Sequence, residues 1–210
     1  MNATAIDALM STLAFQNPEP RSELAFSTPY ELLVAVTLSA QSTDVGVNKV
    51  TPGLFALANT PDKMLDLGID GVERQIRTLG LYRAKARHVI AAAQLLVQRH
   101  AGQVPADRAA LEALPGVGRK TANVVLNIAF GQPTLAVDTH VFRVANRTGL
   151  ACGKTPDQVE RQLLAVIPDR FLQHAHHWLL LQGRHICQSR TPKCSTCSIR
   201  EFCEFPTKAV

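Results

Sequence analysis

The stretch that most constrains the fold of this 210-residue chain is a helix breaker of five residues, from Leu114 to Gly118. Its proline lacks a backbone N–H and its two glycines favour non-helical backbone, so a helix cannot continue through it. The spacing of apolar residues on either side predicts a short helix over residues 107–113 and a longer one over 119–130. The chain is therefore expected to form a helix, a tight hairpin and a second helix here.

The start of the second helix is a candidate functional site. Its first N–H groups have no partner within the helix and can bind an anion, and Gly116 and Gly118 let another molecule approach the backbone. Lys120 lies in this first turn, where the helix dipole disfavours a cation. A neutral amine is a nucleophile, so Lys120 is a candidate for covalent chemistry. The alternative is a solvated lysine beside an ordinary surface turn.

Asp138 is a second candidate. It is predicted to be the N-cap of a helix that begins at Thr139, and capping alone would explain it. The connection over residues 131–137 is long enough to bring the chain back beside Lys120. An amine and a carboxylate at the mouth of one groove would then form a catalytic pair.

The rest of the chain also predicts helices. No stretch alternates apolar and polar residues, whereas threonine followed by proline, a helix-start signal, recurs. Thr51 and Pro52 are a further candidate start, and residues 39–44 are interpreted as the polar end of a buried helix. The pattern predicts an all-α protein of roughly ten helices. The predicted helices are 4–16, 29–40, 60–68, 72–78, 83–100, 107–113, 119–130, 139–147, 156–166 and 170–185.

Composition narrows the class of protein. The chain is 46% hydrophobic and 19% charged, which is typical of a globular protein. A formal net charge of +5 favours a polyanionic partner. No apolar run is long enough to span a membrane, and the N-terminus lacks the pattern of a secretory signal. We therefore expect a cytoplasmic protein without a membrane partner.

Four of the five cysteines, Cys187, Cys194, Cys197 and Cys203, fall in the last 24 residues with the spacing C-x6-C-x2-C-x5-C. Without a secretion signal, such crowding indicates a metal site instead of disulfides. Four thiolates suit zinc or an iron–sulfur cluster, and the spacing alone favours zinc. The loop between the first two cysteines carries Arg190 and Lys193, which either contact phosphates or are solvated.

Three motifs together resemble the endonuclease III family of DNA glycosylases. They are the hairpin from Leu114 to Ala122, the segment Val137–Arg143 and the cysteine spacing, and residues 38–44 and 79–82 extend the likeness over nearly the whole chain. The resemblance implies a two-lobed all-α fold, with a six-helix barrel over 22–132 and a second domain made of 1–21 and 133–210. It also implies a [4Fe–4S] cluster on the four cysteines, which replaces the preference for zinc.

The resemblance implies a base-excision-repair enzyme that removes oxidised pyrimidines and cleaves the abasic site by β-elimination. Lys120 would form a Schiff base with the sugar, and Asp138 would steady positive charge and assist proton transfers. The partner would be double-stranded DNA containing damaged pyrimidines or abasic sites, bound between the lobes. The enzyme would act as a monomer, associated with the nucleoid through DNA.

The resemblance further assigns DNA contacts. Gln41 and Leu81 match residues that fill the gap left by a flipped base. Thr191 stands where relatives often carry another basic residue, so the affinity of the cysteine loop is open. The remaining implied contacts are Gly116, Val117, Gly118, Arg119, His140, Arg143, Arg190 and Lys193.

Two other functions fit parts of the sequence. A monofunctional relative, such as an adenine glycosylase, usually lacks a lysine at the position of Lys120. A non-catalytic DNA-binding protein would use the hairpin to bind phosphate, as a clamp, and the metal to stabilise its fold. Such a clamp needs neither a nucleophile nor a carboxylate beside its anion, so the pair of Lys120 and Asp138 argues against it.

Overall fold

The structure, a computed structural model, describes residues 1–206 and shows a helical protein. Within that range there are ten α-helices and no β-strand, so the prediction of an all-α chain is confirmed. A π-helical turn (Gln182–Ile186) and a 3-10 turn (Cys194–Thr196) follow the last helix. The helices are α1 (Ala3–Gln16), α2 (Pro29–Ser39), α3 (Asp44–Leu57), α4 (Pro61–Ile76), α5 (Tyr82–His100), α6 (Arg108–Glu112), α7 (Arg119–Phe130), α8 (Thr139–Thr148), α9 (Pro156–Val166) and α10 (Asp169–Leu181).

The chain divides into two compact units. Ser22–Gly131 contains helices α2 to α7, and Met1–Arg21 joins the chain from Gln132 onward to form the other. We call them the hairpin unit and the cysteine unit. Over residues 1–206, none of the helices combines the length and apolar character needed to cross a membrane.

The threonine–proline pairs begin helices at three of the four predicted places. The hydroxyl oxygen of Thr28 accepts the N–H of Glu31 at 3.1 Å, and the carboxylate of Glu31 accepts the N–H of Ser27 at 2.6 Å. The hydroxyls of Thr60 and Thr155 likewise accept the N–H groups of Lys63 and Gln158, each at 3.3 Å. A side-chain cap of this kind stabilises a helix by about 1 kcal/mol.

The prediction of a helix start at Thr51 and Pro52 is wrong. Helix α3 begins seven residues before Thr51, and the hydroxyl of Thr43 accepts the N–H of Gly46 at 3.1 Å. Pro52 lies inside this helix. Residues 39–44 are therefore the turn between two helices and not only the polar end of α2. Burial of one face of α3 offsets the hydrogen bond that Pro52 cannot donate.

Gly68 interrupts α4, as the sequence predicts. Its φ of 69° and ψ of 171° lie outside the helical region. Glycine adopts a positive φ without steric strain, so the break falls there. The second part of α4 begins earlier than the predicted residue 72, and it ends at Ile76.

The core of the hairpin unit surrounds α2, which is buried over almost its whole length. Helix α7 packs against α2, and α5 packs against α4. Full burial of a leucine side chain contributes roughly 1.5–3 kcal/mol, so this core holds α7 and the lysine at its start in place. The largest fully buried side chains of the unit are Leu32, Leu33, Leu38, Leu54, Met64, Ile76, Leu96, Leu111 and Leu126.

The cysteine unit has its own core, to which α1, α8, α9 and α10 contribute. Two of the four cysteines, Cys187 and Cys197, pack against it. The segment that precedes α8 is also buried, from Thr134 to Val137. This core therefore fixes both the start of α8 and the cysteine region.

Candidate functional site

The hairpin is anchored by apolar side chains and closed by backbone hydrogen bonds. Leu111, Leu114 and Val117 are buried, with 0%, 2% and 6% of their surface exposed. The N–H of Leu114 donates to Leu111 and that of Val117 donates to Leu114, each at 3.0 Å. Gly116 has a φ of +80°, a conformation that side chains other than glycine rarely adopt. The side chain of Val117 thus packs inward, and its proposed contact with DNA stays a prediction.

Helix α7 starts without a side-chain cap. Its N-cap is Gly118, which has no side chain to accept from the first turn. Gly118, Arg119 and Lys120 are all exposed. The N-terminus of a helix attracts anions because its N–H groups point outward and its dipole is positive there. Lys120 therefore lies beside a backbone site suited to a phosphate.

Asp138 caps α8 with one carboxylate oxygen. Oδ1 accepts the N–H groups of both His140 and Val141 at 2.8 Å. The cap does not use Oδ2, and the side chain is half-buried. Capping and chemistry are therefore compatible for this residue. Because Lys120 belongs to the hairpin unit and Asp138 to the cysteine unit, their pairing stays a prediction.

His176 holds the segment that leads to Asp138. Its Nδ1 lies 2.8 Å from the carbonyl oxygen of Ala136, and its ring is buried. Burial, and to a lesser degree His174, lower the pKa of the neighbouring His177. The sequence of the histidine cluster does not show whether a histidine is a metal ligand or a residue that holds the backbone in place. The structure shows that His176 holds the backbone at Ala136.

Gln41 and Leu81 share an uncommon backbone conformation. Their φ values are 54° and 59°, in the left-handed region that residues other than glycine seldom occupy. Both side chains are exposed, Leu81 to 60%. A Cβ added to Gly80 would lie 3.7 Å from the carbonyl oxygen of Gln41, so the two turns are neighbours. Strained, exposed residues of this kind cluster at functional sites.

Sequence reasoning missed Lys85, which lies one turn after Leu81. Only 4% of its surface is exposed, and Nζ donates to Oγ of Ser42 at 2.6 Å. Burial lowers the pKa of Lys85 from its usual value. The signal in the sequence is the spacing: Lys85 precedes Val89 by four residues and so lies on the buried face of α5.

The four C-terminal cysteines line a single cavity in the cysteine unit. Burial raises the pKa of the Cys197 thiol, and the nearby thiols of Cys203 and Cys187 raise it further. Two donors point at the sulfurs: Nε2 of Gln182 lies 3.2 Å from Cys197, and Nη1 of Arg147 lies 3.6 Å from Cys187. Hydrogen bonds to sulfur are a usual feature of iron–sulfur sites.

The four thiols and the donors around them are compared with what each kind of metal site requires. A single zinc ion needs four sulfurs at about 2.3 Å from one point. In a four-iron cluster each thiolate binds a different iron, which places the sulfurs farther apart. Four cysteines around one cavity, with donors aimed at their sulfurs, fit such a cluster.

Two arginines of α8 hold the backbone around the first cysteine. Arg143 donates through Nε to the carbonyl of Cys187 and through Nη2 to that of Gly183, both at 2.8 Å. Arg147 donates to the carbonyl oxygens of Gln188 and Ser189 at 2.6 and 2.7 Å. Arg143 thus has contacts within its own unit, and its proposed contact with DNA stays a prediction.

The other proposed DNA contacts of the cysteine unit differ in exposure. Arg190, Thr191 and Lys193 are exposed on the loop between Cys187 and Cys194. His140 is half-buried, and its Nδ1 lies 3.2 Å from Nη2 of Arg143. The loop therefore presents two cations to a partner, while His140 is held beside Asp138.

Comparison with known proteins identifies the family. Residues 34–169 match the HhH-GPD superfamily of base excision DNA repair proteins. The chain is 55% identical to endonuclease III of Escherichia coli K12 over 208 residues, which cover 99% of each chain. It is 53% identical to endonuclease III of Haemophilus influenzae, with the same coverage. A solved structure of a trapped endonuclease III–DNA covalent intermediate, an estranged-adenine complex, has a TM-score of 0.91 and 40% identity, and covers 97% of this chain and 96% of its own.

The hairpin, the capping aspartate and the cysteine group thus occur together in a chain that matches these repair proteins over nearly its full length. The chain belongs to the endonuclease III family within the HhH-GPD superfamily of base excision DNA repair proteins.

Proposed function

We propose that this protein is a bifunctional DNA glycosylase and abasic-site lyase that removes oxidised pyrimidines from double-stranded DNA. The observation that carries the proposal is the exposed amine of Lys120 in the first turn of an uncapped helix. That turn suits a phosphate, so a DNA strand held there brings its sugar to the amine. The membership in a family of base excision repair proteins supports the same function.

The chemistry follows from an amine acting on a sugar. A base is not reachable inside the duplex, so the nucleotide is flipped out first. The neutral amine of Lys120 attacks C1′, the bond from C1′ to the base breaks, and the base leaves with the electron pair and takes up a proton. Opening of the sugar ring gives a Schiff base, which makes the C2′ proton acidic. Loss of that proton expels the 3′ phosphate, and water then releases Lys120.

Asp138 would support these steps through the carboxylate oxygen that its cap does not use. A carboxylate close to C1′ stabilises the positive charge that develops on the sugar. It also accepts and returns protons as the ring opens and the base departs. For this role we expect Asp138 and Lys120 to act on the same flipped nucleotide.

The proposed DNA contacts divide by role. Backbone N–H groups near Gly116 and Gly118, with Arg119, would hold a phosphate, and Arg190 and Lys193 would hold others. Gln41 and Leu81 would fill the gap left by the flipped nucleotide. His140 and Arg143, at the start of α8, would lie near the same strand. We further propose that the hairpin unit is the six-helix barrel domain and the other unit the cluster domain.

Cys187, Cys194, Cys197 and Cys203 would hold a [4Fe–4S] cluster. When bound, the cluster supplies a cross-link between segments of the chain and no bond-making step in base removal. Its effect would be to order the loop that carries Arg190 and Lys193. We expect the purified protein to be brown, with absorbance in the sulfur-to-iron charge-transfer region. A colourless protein with stoichiometric zinc after anaerobic purification would contradict this assignment.

We also propose that the enzyme acts as a monomer in the cytoplasm and associates with the nucleoid through DNA. Elution at the mass of one chain, 22.8 kDa, would support the first part. Nuclease-sensitive retention in the nucleoid fraction would support the second.

The proposal is tested by trapping with borohydride, which reduces the Schiff base to a stable amine. We expect a covalent adduct on duplexes that contain an oxidised pyrimidine or an abasic site. Lys120→Ala should form no adduct, and Lys120→Arg, which keeps the cation, should bind DNA but also form none. An adduct with Lys120→Ala would show that the assigned nucleophile is wrong. Release of the base without any adduct would indicate a monofunctional glycosylase instead.

A further inference from the structure

Lys85 is buried where a charge is expensive. Its surface is 4% exposed, and the recorded partner of its ammonium is the hydroxyl of Ser42, a neutral group, at 2.6 Å. An apolar side chain of similar size would fill the same space without the desolvation penalty. Packing alone therefore does not account for a lysine at this position.

The contacts of Lys85 join two turns that are far apart in the sequence. Its backbone N–H donates to the carbonyl of Leu81 at 3.0 Å, in the first turn of α5. Its side chain reaches Ser42, the residue next to Gln41. The backbone bond would form with any residue at this position, so it is the side chain of Lys85 that links the start of α5, and with it Leu81, to the segment of Gln41.

Both segments need support because both are strained. The N–H of Ser42 donates to the carbonyl of Ser39 at 3.0 Å, which closes a turn with Gln41 at a position that usually takes glycine. Leu81 is the N-cap of α5, has a left-handed backbone, and makes no side-chain cap hydrogen bond. Strained residues keep their conformation only when the surrounding structure holds them.

We propose that Lys85 is a positioning residue that ties Gln41 and Leu81 into one rigid wedge, which enters the DNA stack when a nucleotide is flipped. This inference rests on the proposed function. The wedge must resist the stacking energy of the duplex, which is a few kcal/mol per step. The hydrogen bond from the ammonium of Lys85 to the Gln41 turn keeps the exposed side chains of Gln41 and Leu81 together against the stacking energy of the duplex. Lys85 does not touch the reacting sugar and takes no part in the bond-making steps.

The test separates wedge insertion from chemistry by the choice of DNA. Base removal from a duplex needs the wedge, whereas β-elimination on a single-stranded oligonucleotide with a preformed abasic site does not. We expect Lys85→Met to slow single-turnover base removal from the duplex by roughly tenfold or more, as a misplaced group near a reacting centre does. The rate on the single-stranded abasic site should stay within about twofold of wild type, well under the tenfold that 1.4 kcal/mol represents.

Further variants test the hydrogen bond between Lys85 and Ser42. Ser42→Ala removes the acceptor without touching the lysine, and it should lower the duplex rate in the same direction. In a Leu81→Ala background, where the wedge has lost one tip, Lys85→Met should add little further loss. Lys63→Met is the matched control, because Lys63 is exposed and its Nζ contacts Asn59 at 3.3 Å. This control should leave both rates unchanged.

A readout without catalysis keeps the inference independent of the proposed chemistry. The fluorescence of 2-aminopurine opposite the lesion rises when the base unstacks, and wild type should raise it more than Lys85→Met or Ser42→Ala. An equal rise for all three proteins would overturn the inference, whatever the enzyme does to the sugar. Equal losses by Lys85→Met on duplex and single-stranded DNA would overturn it too, since they would indicate a general structural effect. Failure of wild type to trap on the single-stranded abasic site would refute only the proposed chemistry.

Discussion

Two lysines of the hairpin unit have opposite environments, and their physical chemistry differs accordingly. Lys120 is exposed at the start of α7, where a substrate can reach it. Lys85 is buried on α5, where its ammonium donates to the hydroxyl of Ser42. A residue that meets substrate must be accessible, whereas a residue that fixes backbone is most effective when packing restricts its motion. The same side chain therefore suits nucleophilic attack at one position and support at the other.

The burial of Lys85 predicts a pH-dependent effect on stability. Burial holds its pKa in the folded protein below the usual 10.5, so the unfolded chain binds more protons between these two values. The free-energy penalty of the buried charge is therefore fully present at pH 7. It decreases as the pH rises through the pKa of the folded protein toward 10.5. Lys85→Met should raise Tm at pH 7, by roughly 2–4 °C per kcal/mol gained. The gain should shrink in melts recorded at increasing pH.

The matched control for this prediction is again Lys63→Met. Lys63 is exposed, so its removal should change Tm little and equally at all pH values. A pH-independent gain for Lys85→Met would show that packing of the methionine, and not removal of the buried charge, is responsible.

At the scale of elements, the two candidate catalytic residues lie at the starts of helices. The cores of the two units hold α7 and α8, and the N-terminal turns of these helices carry Lys120 and Asp138. The start of α7 has no side-chain cap, whereas the start of α8 is capped by the carboxylate itself. The first helix is therefore suited to bind an anion, and the second presents an anionic group beside its positive end.

The two glycines of the hairpin should respond differently to the same substitution. Gly116 has a φ of +80°, and a Cβ there would lie 2.8 Å from Cβ of His88. Gly116→Ala should therefore lower stability by about 1–2 kcal/mol from backbone strain alone, measured by thermal melting. Gly118 has a φ of −96°, and a Cβ would meet nothing within 4 Å. Gly118→Ala should melt closer to wild type than Gly116→Ala, with a small loss because alanine is a poorer N-cap than glycine.

DNA binding by the same variants tests the phosphate site. If a phosphate approaches the backbone at Gly118, the added methyl group should weaken DNA binding in Gly118→Ala at temperatures well below its Tm. Unchanged affinity for Gly118→Ala would contradict a close approach of DNA to the start of α7. Titration of a fluorescent duplex at fixed salt is sufficient.

The link between α8 and the cysteine region gives a second prediction at this scale. Arg147 donates to the carbonyls of Gln188 and Ser189 and contacts the ring of Phe205, with 4.8 Å from Cζ to the ring centre. Arg147→Met removes these bonds next to Cys187, so the visible absorbance of the proposed cluster should bleach faster in air or with a chelator. Arg190→Met, at an exposed site of the same loop, should bleach at the wild-type rate. Equal bleaching of both variants would show that the contacts of Arg147 do not protect the cluster.

At the scale of the whole molecule, charge governs the encounter with DNA. The formal net charge is +5, and the exposed cations of the cysteine loop add a local contribution. Each phosphate contact releases counterions, so affinity falls with salt. Removal of one contact should reduce the slope of log K against log salt by about 1. Arg190→Met and Lys193→Met should each do so, and an unchanged slope in both would place this loop away from the phosphates.

Much of the fold could be predicted because its signals are local. The caps at Thr28, Thr60 and Thr155 depend on residues within one turn, and so does the break at Gly68. The error at Thr51 and Pro52 has a non-local cause. Apolar packing of α3 outweighs the local helix-start signal at Thr51 and Pro52. No residue near Pro52 in the sequence indicates that the helix continues through it.

The sequence by itself established which residue types are available and where most helices begin, although not α3, because caps, breakers and cysteine spacing act over a few residues. It pointed to Lys120, Asp138 and the four cysteines for the same reason. Other features depend on segments that are distant in the chain. They include the burial of a lysine, the carbonyl groups that an arginine contacts, and the turns that are neighbours. Only the tertiary structure therefore showed three features: the burial of Lys85 against Ser42, the carbonyl groups bound by Arg143, and the left-handed backbone of Gln41 and Leu81. Packing brings such distant segments together, and no local pattern encodes which ones will meet.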